Sequence, residues 1–274
     1  MATKKAASTK KAPAKKTSSA SAKTTVKTVP TTVKKQTLGQ HVEASLQSSR
    51  LWRALAAEFI GTFLLASVVI AGQGQPIFVL FALTGIVLLI GGISGAHVNP
   101  AITVGAWATR RIGWLRALGY IFVQFLGAAA AFFAFSAFVG GAAQPTAEQA
   151  AYGQTAPEVF SAIDLATIAG KEWFVFFAEV LGTAILAFAV ATAMRAKDSL
   201  TGSFTIGLGI FVALMVTVTI GGYLAASTII NPAVALALQA YTPSLWPYAV
   251  YAIAPVIGGV AGFLIHDLLR GKQA

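Results

Sequence analysis

Apolar residues fall in six long blocks separated by short polar connections. A helix that crosses a bilayer needs about 20 predominantly apolar residues. Six segments reach that length: approximately Leu51 to Gly72, Phe78 to Ala96, Leu115 to Gly140, Glu172 to Met194, Ser203 to Gly222 and Trp246 to Leu269. The pattern predicts an all-α membrane protein with six transmembrane helices, and an even number of spans puts both termini on one side. Cytoplasmic loops carry an excess of Lys and Arg. Arg110, Arg111 and Arg116 lie between spans 2 and 3, Arg195 and Lys197 between spans 4 and 5, and Arg270 and Lys272 after span 6. The opposite connections lack Lys and Arg, and the charged residues of 141–170 are only the acids Glu148, Glu158 and Asp164, before Lys171. Both termini are therefore expected in the cytoplasm and loop 141–170 outside, in a protein of the plasma membrane.

Composition agrees with the pattern: 56% of residues are hydrophobic and 11% charged, against about 25% charged in soluble domains. The net charge of +11 is unevenly placed. Residues 1–50 hold ten lysines and Arg50 against Glu43, whereas residues 51–274 hold nine Lys/Arg against eight Asp/Glu. Residues 1–36 contain no aromatic and no acid, so they lack the apolar surface that would offset their ordering entropy. A basic, disordered N-terminal arm over residues 1–50 is expected, with residues 37–50 able to form a short helix before the membrane. It has no apolar core of a cleavable signal, so the first span is expected to serve as an uncleaved anchor. The arm suits anionic lipid better than nucleic acid.

Cysteine is absent, which removes disulfides and thiol chemistry. His41, His97 and His266 are far apart in sequence, without acidic or histidine neighbours at metal-ligand spacing. The spans offer no nucleophile paired with a base. No enzyme activity, metal or cofactor is expected.

The chain repeats itself. Ala57-Glu58-Phe59-Ile60-Gly61-Thr62 in span 1 matches Ala178-Glu179-Val180-Leu181-Gly182-Thr183 in span 4, and Asn99-Pro100-Ala101 after span 2 matches Asn231-Pro232-Ala233 after span 5. Three spans per repeat is odd, so the two halves must be inverted in the membrane. They comprise residues 51–140 and 171–269, joined by 141–170 and followed by a tail, 270–274. After each Asn-Pro-Ala comes a short apolar stretch, Ile102 to Ala108 and Val234 to Ala240. At about 1.5 Å per residue, such a stretch covers at most about half of a 30 Å hydrocarbon core. Asn is a favoured N-cap and Pro a favoured first helical residue, so each stretch reads as a re-entrant half-helix.

Entering from opposite faces, the two helix starts should meet near the midplane with their N–H groups facing one point. Each start carries about +0.5 charge. A cation near 4 Å then meets a barrier of about 4 kcal/mol at an effective dielectric of 20. A neutral solute meets no such net repulsion, and the side-chain amides of Asn99 and Asn231 can donate to its oxygen.

These residues resemble the major intrinsic protein family, the aquaporins and glycerol facilitators. Ser94-Gly95-Ala96-His97-Val98-Asn99-Pro100-Ala101-Ile102-Thr103 is similar to the family's first signature, and the resemblance extends to Gln124, Gly127 and Ala128 in span 3 and to Pro255 and Gly258 in span 6. It implies a homotetrameric channel, one pore per subunit, for water and small neutral solutes. Glu58 and Glu179 would then accept bonds from the re-entrant backbone, and His97 would brace its loop, rather than relay protons or bind a ligand. The family's outer constriction, carried over by spacing, falls on Val79, Thr219, Thr228 and Val234, with Val218 the alternative in span 5. The resemblance expects arginine where Val234 stands, and an aromatic ring, in strict water channels, where Val79 stands. A wider and neutral filter that admits small polyols such as glycerol is the expectation. Two other readings carry their own signatures: a secondary transporter needs coupling ligands at the midplane, and a membrane anchor for a polyanion-binding arm needs no pore.

Overall fold

The computed structural model describes residues 37–271, and residues 1–36 of the arm expected over residues 1–50 lie outside the described residues. Among the described residues every regular element is helical. The elements are α1 (Leu38–Leu46), α2 (Ser49–Ala71), α3 (Pro76–Ser94), α4 (Pro100–Ala108), α5 (Trp114–Gly140), α6 (Ala147–Ala151), α7 (Glu172–Ala193), α8 (Ser199–Leu224), α9 (Pro232–Ala237) and α10 (Leu245–Arg270). Six of them, α2, α3, α5, α7, α8 and α10, are long and apolar enough to cross a membrane. The short helices α4 and α9 are the re-entrant half-helices.

Helix α8 starts at Ser199, four residues ahead of the expected Ser203, because Asp198 caps it: its carboxylate accepts from the Thr201 N–H at 2.8 Å. Helix α9 stops at Ala237, short of the expected Ala240. Gln239 takes a left-handed φ of 55°. The Gln239 N–H then bonds the Leu236 carbonyl and the Ala240 N–H the Ala235 carbonyl, at 3.0 and 2.9 Å. This is the reverse turn that commonly closes a helix with glycine. Helix α4 ends the same way: Arg110 has φ 62°, and the Arg111 N–H reaches the Ala106 carbonyl at 2.7 Å. Neither stop is marked by glycine, and at the second the apolar pattern runs on to Ala240.

The chain's two halves interlock. Helix α2 packs on α3 and α5, α7 packs on α8 and α10, and α3 meets α8 between them. Each half-helix leans on the other half's third span, α4 on α10 and α9 on α5. Lipid offers no hydrophobic drive to helix association, so small residues that allow close contact take over. Buried Ala54, Ala66, Ala101, Ala128, Ala187 and Ala213 fill the interior, while Phe81, Leu89, Phe122, Phe133 and Phe174 point outward. At the α4–α10 crossing a Cβ on Gly259 would lie 2.5 Å from the Ala101 carbonyl oxygen, and one on Gly105 would lie 2.8 Å from that of Gly259. The two backbones touch there.

Inside α10, Ala249–Ile253 widens into a π turn before Pro255. Proline has no N–H to offer the carbonyl four residues back. That carbonyl, Tyr251, instead accepts from the Tyr241 hydroxyl at 3.1 Å.

Candidate functional site: a pore between two helix starts

The half-helices meet through their first residues. Asn99 caps α4 by accepting from the Ala101 N–H at 2.8 Å, and Asn231 caps α9 by accepting from the Ala233 N–H at 3.0 Å and the Val234 N–H at 3.4 Å. Each amide nitrogen crosses to the opposite loop. The Asn99 amide donates to the Ile230 carbonyl and the Asn231 amide to the Val98 carbonyl, both at 2.9 Å. An amide NH₂ has two hydrogens, so one is committed to the scaffold and one is left over. Pro100, Ala101, Pro232 and Ala233 are all buried at this junction.

Val98 and Ile230, each just before its Asn, have φ of 41° and 52°. A left-handed conformation costs an L-residue about 1–2 kcal/mol, and a β-branched side chain makes it rarer still. The cost is offset because both polar groups of each residue are used. The Val98 N–H donates to the Glu58 carboxylate at 2.7 Å and the Ile230 N–H to that of Glu179 at 2.7 Å, while both carbonyls accept from the opposite Asn. The preceding N–H groups, of His97 and Ile229, bond the second carboxylate oxygens at 2.9 and 2.5 Å. Gly61 and Gly182 make room for this: a Cβ on either would come within 2.7 Å of Val98 Cγ1 or 2.8 Å of Ile230 Cγ2.

The first loop has a further layer. The Gln124 amide donates to Glu58 at 2.8 Å and to the Thr103 hydroxyl at 3.0 Å, and the Thr103 hydroxyl lies 3.2 Å from His97 Nδ1. The His97 ring stands edge-on to Tyr120 at 5.4 Å, and the Tyr120 hydroxyl donates to the Ser94 carbonyl at 2.7 Å. In the second loop two tyrosines hold the backbone. Tyr241 donates to the Pro232 carbonyl and Tyr251 to that of Ser227, at 3.1 and 3.0 Å. Burial raises the Tyr241 phenol above its ordinary pKa, which keeps its proton in place. Tyr120, Tyr241 and Tyr251 carry no motif that would single them out in the sequence.

A cavity of about 200 Å³ runs from Gln73 and Gln75, in the turn between α2 and α3, down to Asn231. Val79, Thr228 and Val234 all line it, and so do Ile210, Leu214 and Val218 of α8. These three are spaced by four residues and share one helix face. Thr219 is not among the lining residues; it sits about 100° around the helix and donates its hydroxyl to the Met215 carbonyl at 2.7 Å. Of the two span 5 positions, Val218 lines the cavity and Thr219 does not. Leu65 and Val69 of α2 and Phe160 from the long connection also line the cavity, and sequence reasoning missed all three. The wall includes no charged side chain. The Thr228 hydroxyl is buried without a hydrogen-bond partner.

Fold and site together define a six-span protein in which two half-helices meet start to start at the end of an uncharged cavity. A family model described as Major intrinsic protein matches residues 45–266. Aquaporin NIP3-1 of Oryza sativa subsp. japonica is 34% identical over 252 residues, covering 84% of this chain and 72% of the relative. Aquaporin Z of Photorhabdus laumondii is 30% identical, covering 81% and 99%. The solved structure of the aquaglyceroporin from Plasmodium falciparum superimposes with a TM-score of 0.60 at 22% identity, covering 79% of this chain and 96% of that one. The chain belongs to the major intrinsic protein family.

Proposed function

We propose that the protein conducts water together with uncharged solutes of the size of small polyols, through an outer constriction that carries no fixed charge. Membership of the family makes it a channel for water and small solutes. The observation that carries the finer reading is the cavity wall: Val79, Val218 and Val234 are apolar, and Thr228 is the polar residue among them. Val234 follows Ala233 directly, where an arginine would bring a permanent charge and five donors. Valine leaves the cross-section to the solute, and the unpaired Thr228 hydroxyl is available to a solute oxygen.

Cation exclusion then rests on the helix starts at Asn99 and Asn231, whose partial charges and spare amide hydrogens meet at one place. The carboxylates of Glu58 and Glu179 accept from backbone N–H groups on both oxygens, which supports a scaffolding role over ion coupling and weighs against the transporter reading. The hydrogen bonds of His97 likewise support a bracing role. The protein works as a homotetramer in the plasma membrane, with both termini cytoplasmic and loop 141–170 outside, a placement supported by the Lys/Arg bias.

Stopped-flow measurements on reconstituted vesicles test the reading. Wild-type vesicles should pass glycerol well above empty vesicles. In Val234→Arg glycerol flux should fall at least about tenfold, with water flux retained within about threefold, since a narrowed polar filter discriminates by size and hydrogen bonding. Glycerol flux equal to that of empty vesicles removes the proposal.

A further inference from the structure

A second cavity of about 200 Å³ lies far from the pore, at the face where α2 and α5 begin, between the α1–α2 corner and the first turn of α5. Its wall holds Arg50 and Arg116, the serines Ser45 and Ser48, and Trp114, with no acidic side chain. Among the described residues both ion pairs fall on Asp267, so neither arginine has a carboxylate partner. Arg116 lies 5.8 Å above the Tyr120 ring, a contact that leaves its charge uncompensated. The neighbouring Arg53, by contrast, is engaged by the Ser49 hydroxyl at 3.2 Å. The corner itself is fixed, with the Trp52 indole N–H donating to the Leu46 carbonyl at 2.7 Å.

Two guanidinium groups around one cavity repel each other unless an anion is shared between them. The two helix starts in the wall add to the same field. Ser48 caps α2 without giving its hydroxyl to the helix, and α5 starts on Gly113, which has no side chain to give. Planar, forked guanidinium groups match phosphate oxygens, and serine hydroxyls complete such a set. The depth fits as well. Both α2 and α5 are membrane spans, so their first turns lie at the level of the lipid headgroups, and half-exposed Trp114 is the residue type found at that interface.

We propose that this pocket binds a phosphate group, presented by the headgroup of an anionic phospholipid or as free phosphate. The test uses the full chain in detergent, titrated with phosphatidic acid, with phosphatidylcholine of the same acyl chains, and with inorganic phosphate alone, bound ligand being counted by native mass spectrometry. Phosphatidic acid should bind at least about tenfold more tightly than phosphatidylcholine, and Arg50→Gln/Arg116→Gln should lose about 30-fold, the worth of two charges near an anionic headgroup. Arg195→Gln/Lys197→Gln, which removes the same charge between α7 and α8, should lose less than about threefold. Arg50→Lys/Arg116→Lys keeps both charges and guards against misfolding, and it should lose less than the glutamine pair. Inorganic phosphate that competes with the lipid and is lost with the arginines supports the pocket and assigns it to soluble phosphate. Equal loss in the 50/116 and 195/197 glutamine variants, or no loss in the 50/116 pair, overturns the proposal.

Discussion

The two re-entrant loops solve one problem with different material. In both, an Asn caps a half-helix, a β-branched residue before it sits in the left-handed region, and a glutamate one span back holds two consecutive N–H groups. Around that shared frame they diverge. The first loop rests on a side-chain network in which Gln124, Thr103 and His97 connect to Glu58. In the second, Pro255 stands in the segment matching Gln124, Ala235 stands four residues after Asn231 where Thr103 follows Asn99, and Ile229 matches His97. The second loop relies on tyrosine hydroxyls on its carbonyls, and its half-helix spans six residues rather than nine. The comparison teaches that the pore's symmetry is held by backbone geometry. The surrounding side chains are free to differ as long as each buried N–H and C=O finds a partner.

Exchange of the two carboxylates should separate the loops most strongly. Glutamine at either position turns one acceptor into a donor facing an N–H. In Glu58→Gln the neighbouring Gln124 can turn its amide oxygen toward the new NH₂ group, whereas Glu179→Gln has no amide beside it. Glu179→Gln should cost about 2–6 kcal/mol and Glu58→Gln about 1–3 kcal/mol, by the number of buried donors left unpaired. Apparent melting in detergent reads the order, and a larger loss for Glu58→Gln would break the comparison.

Thr103→Val keeps the shape and deletes the hydroxyl that joins His97 to Gln124, so it should cost about 1–3 kcal/mol, again as a lower melting temperature. An unchanged melting temperature would show that the extra layer of the first loop is decorative. The smallest effect is expected for Tyr241→Phe, about 1 kcal/mol. It removes one donor shared by the carbonyls of Pro232 and Tyr251. The same substitution sharpens the contrast, because the second loop lines the cavity. Glycerol flux should change more than melting there, and in Thr103→Val the reverse should hold.

Much of the scaffold was legible from local pattern. The six spans could be counted because each is a run long enough to cross hydrocarbon, and their ends moved by only a few residues. The two half-helices were visible because Asn and Pro announce a helix start. The first ends at Ala108 as expected, but the end of the second was not visible, since Gln239 closes it where glycine is the usual signal. Glu58 and Glu179 stood out as carboxylates in apolar runs. Tyr120, Tyr241 and Tyr251 did not, because a tyrosine in or beside a span is ordinary until its partner is known. Thr219 and Val218 stayed undivided in the sequence for a related reason. Counting back from Asn231 crosses six irregular residues, and an error of one position turns a helix by about 100°.

The sequence by itself determined that this is a membrane protein of six spans in two inverted halves, with two helix starts aimed at each other and a valine after the second Ala. Those follow from periodicity, length and repetition, which are properties of neighbours along the chain. Only the tertiary structure decided which side chains line the cavity, that each Asn amide reaches across to the opposite loop, and that Val98 and Ile230 are held in a strained conformation. These depend on contacts such as Asn99 with Ile230 and Asn231 with Val98, between residues more than a hundred positions apart. Such contacts exist once the two halves have closed on each other.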